Sequence, residues 1–202
     1  MPAILPTAYL PPIAYISAAI KAEEFLIEIQ ETYRKQTCRN HCRIYGPNGL
    51  QILSIPVIKV NGNHTLTRDI RIAYPLSWQK AHWRSIETAY RNSPFFLYYQ
   101  DYFAAFFTQK YDYLIDLNSA LLETIWSVLK VTPQMGYTGT FQTISTSDQR
   151  ELLVSKKHAP PIPSYHQVFA SKFGFISNLS VIDALFNLGP ETKSYLCSIN
   201  EG

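Results

Sequence analysis

The opening of the chain constrains the fold more than any other stretch. Ile4 to Tyr9 reads as a short strand, Pro11-Pro12 end it, and Ile13 to Lys21 reads as a helix with proline at its entry. Phe25 to Ile29 follows, nearly all apolar, as expected of a strand buried on both faces. A strand, a helix and a second strand in this order favour a parallel α/β core. The expected class is α/β, with a Rossmann-like parallel or mixed sheet.

The next constraint is charge. Tyr33 to Arg43, Y-R-K-Q-T-C-R-N-H-C-R, holds Arg34, Lys35, Arg39 and Arg43, plus His41, and no carboxylate. The whole chain carries a formal charge of +3, so this one stretch accounts for its basic excess. A cationic connection between two apolar runs is a natural place to hold an anion, because the scaffold fixes the donors. After it, Gly-Pro and Asn-Gly turn signals between Cys42–Tyr45 and Leu50–Val57 predict a hairpin excursion. Asp69 to Ala73 alternates like a strand. Ser77 is placed to cap a helix over Trp78–Asn92, and Ser93-Pro94 separates it from an aromatic helix over Phe95–Phe107. Asp112 to Lys130 carries Leu114, Leu117, Leu121, Leu122 and Ile125 on one broad face, the clearest helix of the chain. These predict one domain over 1–202 with a helical segment over about 77–130. Tyr137 to Ile144 reads as a strand, Lys156 to Tyr165 as a stiff loop, and Ser180 to Asn187 as a last helix stopped by Gly189-Pro190.

Several function classes fall away. No G-x-G-x-x-G or G-K-[ST] occurs, so dinucleotide and P-loop nucleotide binding have no support. One short basic stretch without a recognition motif is a small footprint for nucleic acid, which is not expected as a partner. No run approaches the ~20 apolar residues that span a bilayer, so no transmembrane segment is expected. The start lacks a basic leader, and three cysteines are an odd number, so the expected location is the reducing cytoplasm. Oligomeric state and cofactor are unknown at this level.

Four segments together resemble the WbqC-like family of bacterial proteins: T-A-Y-L-P-P-I-A-Y, K-Q-T-C-R-N-H-C-R-I, P-L-S-W-Q-K-A-H-W-R-S-I-E-T-A-Y-R-N-S-P-F-F and N-L-S-V-I-D-A-L-F-N-L-G-P. The resemblance runs over nearly the whole chain, with departures at Cys38 and His41. It implies an association with O-antigen and surface-polysaccharide biosynthesis. It also implies transfer of a small acyl or aminoacyl group to an amino sugar.

Arg39, Asn40 and Arg43 are the leading substrate-binding residues, because arginine forks hold carboxylate or phosphate. The expected ligand is an anionic small molecule such as a nucleotide sugar. The plainer reading is a basic loop with structural ion pairs to Glu28 or Glu31. Cys38, His41 and Cys42 provide only three local metal ligands without a paired C-x-x-C, so no metal is expected. His82, beside Trp78, is the candidate general base, against a structural histidine on a helix face. Asp183 is the second candidate catalytic residue, with Asn178 beside it; against that stands a capping role after Ser180. Tyr9 and Tyr15 flank the first strand-to-helix turn, where open α/β sheets bind ligands. The function expected is a nucleotide-sugar acyl or aminoacyl transferase. The alternatives are a non-catalytic nucleotide-sugar or carbohydrate binding module, or an adaptor for biosynthetic enzymes.

Overall fold

A computed structural model of the protein describes residues 2–22, 24–142 and 162–199. The strand–helix–strand opening is present as β1 (Ala3–Pro6), α1 (Ile13–Ala22) and β2 (Glu24–Glu28). β1 and β2 are parallel, with Leu5 opposite Ile27. β7 (Gln134–Tyr137) adds to the far side of β2, also parallel, giving the order β1-β2-β7. The fold is thus α/β with a three-stranded parallel sheet. Leu5, Phe25 and Ile27 are fully buried, which explains why these strands read as apolar runs.

The strand expected over Tyr137–Ile144 is instead centred upstream. Gly136 allows that register, since a Cβ there would stand 2.8 Å from the Leu26 side chain. Residues 138–142 are not strand, and 143–161 lie outside the described residues, as does most of the loop expected over Lys156–Tyr165.

β3 (His41–Gly46) and β4 (Gly49–Ser54) form the expected hairpin, closed by the pair Gly46–Gly49. Gly49 has φ of 97°, a conformation that side-chain-bearing residues resist. β5 (Val57–Ile58) and β6 (Arg71–Ile72) pair as a short antiparallel ladder. The helical segment comprises α2 (Trp78–Tyr90), α3 (Phe96–Ala104) and α4 (Leu114–Leu129). Ser77 stands at the N-cap position of α2 without a side-chain cap bond.

α4 buries the predicted stripe, and its Trp126 packs edge-on against Phe25 of the sheet, with ring centroids 6.2 Å apart. Two polar residues of α4 are buried with the leucines, Asn118 almost completely and Ser119 beside it.

The C-terminal helices are α5 (Ala170–Phe173), α6 (Val181–Leu188) and α7 (Thr192–Ser198). They close onto the N-terminal helix. Ile13 N–H donates to the Leu179 carbonyl at 2.9 Å and Ala14 N–H to the Asn178 side chain at 3.0 Å. Ser17 Oγ donates to the Leu196 carbonyl at 2.8 Å. The first amides of α1 are therefore satisfied by distant protein groups. Asn178 makes this cap from a left-handed conformation, with φ of 52°. α6 stops at Gly189, where a Cβ would collide with the Phe95 ring at 2.5 Å.

Candidate functional site

The carboxyl edge of the parallel sheet is lined by buried polar residues. Glu28, at the end of β2, accepts from the Gln30 amide at 2.7 Å, from Thr138 Oγ1 at 2.8 Å and from the Gln142 amide at 3.0 Å. It fastens the chain leaving β7 to the central strand. Asn118 reaches over from α4 and donates to Thr7 Oγ1 at 3.0 Å and to the Arg39 carbonyl at 2.9 Å. These bonds bring β1, the basic loop and α4 to one point.

Arg39 lies at that point with 0% of its surface exposed. Its Nε donates to Glu31 Oε1 at 2.7 Å, its Nη1 to Thr37 Oγ1 at 3.2 Å, and its Nη2 stands 2.5 Å from the same Glu31 oxygen. A buried guanidinium needs such a partner, since desolvating a lone charge costs several kcal/mol. The structural ion pair weighed in the sequence is present, with Glu31.

Around this ion pair several buried polar atoms have no hydrogen-bond partner among the described residues: the hydroxyls of Tyr15 and Tyr33, Thr67 Oγ1 and Asn118 Oδ1. Tyr15 and Tyr33 each interact electrostatically with Arg39 and Cys38. Thr67 is joined to Glu31 by a 2.9 Å backbone bond. Burial raises the pKa of both tyrosines, and it pushes the Cys38 thiol up to about 11, so that thiol is protonated and unreactive at neutral pH. More than nine buried polar groups in ten find a partner in folded proteins. Four unpartnered atoms lie around this ion pair, and others, among them Trp78 Nε1, Asp183 Oδ1 and Asn187 Oδ1, lie elsewhere in the described residues.

A second neighbourhood joins Tyr9, Trp78 and His82. The Tyr9 hydroxyl and His82 Nδ1 are 2.9 Å apart, and the Trp78 and His82 rings meet edge-on with centroids 5.0 Å apart. Burial pulls the His82 pKa down to about 4, partly offset by a hydrogen bond with the Ser54 backbone. The ring is neutral at pH 7. With Tyr9 donating to Nδ1, its proton sits on Nε2. Tyr9 is tied back to the basic loop, its amide donating to the Cys38 carbonyl at 2.8 Å.

A third neighbourhood surrounds Asp183. Ser180 caps α6, but the Asp183 carboxylate does not complete a capping box. It is fully buried, accepting from the Tyr165 hydroxyl and from Gln167 Nε2 at 3.1 Å. Burial raises its pKa, and the bonds from Tyr165, Tyr90 and Gln167 oppose that rise. Gln167 also bonds the backbone of Ile176 in both directions, at 3.0 and 2.9 Å. Asp183 thus anchors the segment that precedes α6.

The sequence-predicted residues are therefore distributed. Arg39 and Tyr15 come together at the sheet edge; Tyr9, Trp78 and His82 come together beside it. Asn40 donates to the Ile55 carbonyl at 3.0 Å and so holds the hairpin root. Asn178 caps α1. That helix start, occupied by Asn178 and Leu179, is closed to a phosphate. Arg43 is half-buried on β3, with Nε shielded from solvent and without a partner among the described residues. Glu31 entered the sequence reading only as a structural ion-pair partner of the basic loop. Asn118, Tyr33 and Thr67 were missed as site residues. Asn118 did have a signal, a polar residue on the apolar stripe of α4.

Among the described residues no three His, Cys, Asp or Glu side chains gather as a metal site, and no helix is long and apolar enough to cross a membrane. No solved structure gives a significant match to the chain. The chain is similar to an uncharacterized protein of Mycobacterium tuberculosis, Rv1507c, with 26% identity over 223 aligned positions covering 96% of each chain. The model of the WbqC-like protein family matches residues 7–159, a span that holds Tyr9, Arg39, His82 and Asn118 and stops short of Asn178 and Asp183. With three quarters of its length matched, including the whole sheet edge and the Tyr9–His82 contact, the chain belongs to the WbqC-like protein family.

Proposed function

We propose that the protein is a cytoplasmic transferase that adds a small acyl or aminoacyl group to a nucleotide-linked amino sugar for surface polysaccharide. The observation that carries this reading is the set of unpartnered buried hydroxyl and amide atoms around Arg39. Their place at the carboxyl edge of a parallel sheet is where open α/β folds bind ligands. A sugar nucleotide offers hydroxyls to complete them and an anion for a basic loop.

In the proposed reaction the sugar amine attacks the carbonyl carbon of the donor. An amide bond forms, the bond to the donor's leaving group breaks, and the amine loses a proton. His82 is the proposed acceptor of that proton by way of the Tyr9 hydroxyl, which takes the amine proton as it passes its own to Nδ1 of the ring, neutral at pH 7. Tyr9 and Trp78 would orient it. Asp183 and Asn178 enter as positioning residues, through the segment before α6 and the start of α1. The binding-module reading has its own support, because burial and the Tyr9 and Ser54 contacts leave His82 little freedom.

The test is a thermal-shift panel of nucleotide sugars, nucleotides, coenzyme A thioesters and amino acids, followed by mass spectrometry for acyl transfer. A ligand at about 100 times its Kd stabilises the fold by about 2.7 kcal/mol. A nucleotide sugar that shifts the midpoint and gains mass with a thioester or activated amino acid supports the transferase. A shift without turnover under any donor selects the binding module. No shift with any nucleotide sugar overturns the transferase and the nucleotide-sugar module.

A further inference from the structure

The two arginines that flank Asn40–Cys42 meet different parts of a ligand. We infer that the cluster of open polar atoms around Arg39 takes an uncharged, hydroxyl-rich group, and that Arg43 holds the anionic group. This rests on the reading of the sheet edge as a ligand site.

Charge makes the first argument. Arg39 is fully buried and already neutralised, with Nε and Nη2 both on Glu31 Oε1. A phosphate placed beside this pair would bring a second anion against the Glu31 carboxylate in a desolvated site, where like charges repel strongly. Hydrogen-bond type makes the second. The open groups are the hydroxyls of Tyr15, Tyr33 and Thr67, which donate and accept, Arg39 Nη2, which makes the ion pair without a hydrogen bond and only donates, and Asn118 Oδ1, which only accepts. A fully ionised phosphate only accepts, so it leaves Asn118 Oδ1 unsatisfied. Sugar hydroxyls do both and complete the set.

Arg43 differs in each respect. Cys42 and Ile44 take the core side of β3, so Arg43 faces the other side, directly opposite Ile52 and two residues from Tyr45. Its guanidinium is half-buried, its Nε is shielded from solvent, and it meets no carboxylate or other acceptor among the described residues. Burial lowers its pKa with no acidic group to oppose the effect. Its fork has donors only, and an anion is the ligand that such a group lacks. Arg39 and Arg43 are four residues apart, so their Cα atoms are at most about 14 Å apart.

The full chain is titrated with two probes, inorganic pyrophosphate and an uncharged methyl glycoside of an N-acetylated amino sugar. Binding is read by thermal shift or calorimetry. The variants are Tyr15→Phe, Tyr33→Phe, Arg43→Gln and, should Arg43→Gln fold poorly, Arg43→Lys. We expect glycoside affinity to fall about tenfold in each Phe variant and to hold in the Arg43 variants. Pyrophosphate affinity should fall tenfold or more in Arg43→Gln, less in Arg43→Lys, and hold in the Phe variants. The reverse pattern, or glycoside binding that ignores both Phe changes, overturns the division even if intact nucleotide sugars bind. If neither probe nor any nucleotide sugar binds the wild type, the division and the proposed function fall together.

Discussion

The Arg39 cluster and the His82 contact stand close together and are built by opposite rules. At Arg39 the charges are balanced and the hydrogen bonds are not, leaving Tyr15, Tyr33, Thr67 and Asn118 with open atoms. At His82 the hydrogen bonds are made to Tyr9 and Ser54, and burial has removed the charge. The lesson is that burial alone does not distinguish a site from a scaffold. Fully bonded buried groups fix geometry, and open ones await a partner.

The largest expected effect breaks the charge balance. Arg39→Ala leaves Glu31 buried without its cation and should cost about 3–5 kcal/mol in denaturant unfolding. A loss under 1 kcal/mol would mean that the pair is not a structural element. Next comes the pH response of His82. Its pKa lies near 4 in the folded protein against about 6.5 unfolded, so between these values the unfolded chain binds a proton that the folded chain does not. This contribution is fully present above pH 6.5 and is lost as pH falls toward 4, by about 3 kcal/mol in all. His82→Gln should flatten that part of the stability profile; an unchanged slope would show that His82 is not its source. Asn178→Ala removes the cap of α1 and places at positive φ a residue that tolerates that conformation less well than asparagine, at a cost of about 1–2 kcal/mol. The smallest effect is the sharpest. Tyr33→Phe removes a hydroxyl without a described partner, so stability should stay within about 0.5 kcal/mol of wild type while ligand affinity drops. A large stability loss would show that the hydroxyl is satisfied within the protein.

Much of the fold was legible, for identifiable reasons. Apolar runs at Ile4 and Phe25 announced buried parallel strands, Asn48-Gly49 announced the hairpin, and the leucine stripe announced α4. β7 was placed a few residues late, because Gln134 and Gly136 give little strand signal and the register is chosen by packing against Leu26. The site was less legible. The basic loop drew attention to Arg39 and Arg43, but residue type cannot tell an arginine paired inside from one left open. Arg39 and Arg43 look alike in the chain, and only the position of Glu31 separates them. Asn178 and Asp183 likewise read as ligand groups, although their bonds run to α1 and to Tyr165 and Gln167.

The cap on α1 has a consequence for how the molecule is made. Asn178 lies 164 residues after the amide it accepts from, and translation at roughly 5–20 residues per second takes about 8–33 seconds to cover that distance. Until Asn178 is made, the Ala14 amide lacks this partner. The parallel sheet likewise waits for β7 to join β2. The cap of α1 and the third strand of the sheet are therefore contacts that the N-terminal half makes only with segments synthesised long after it.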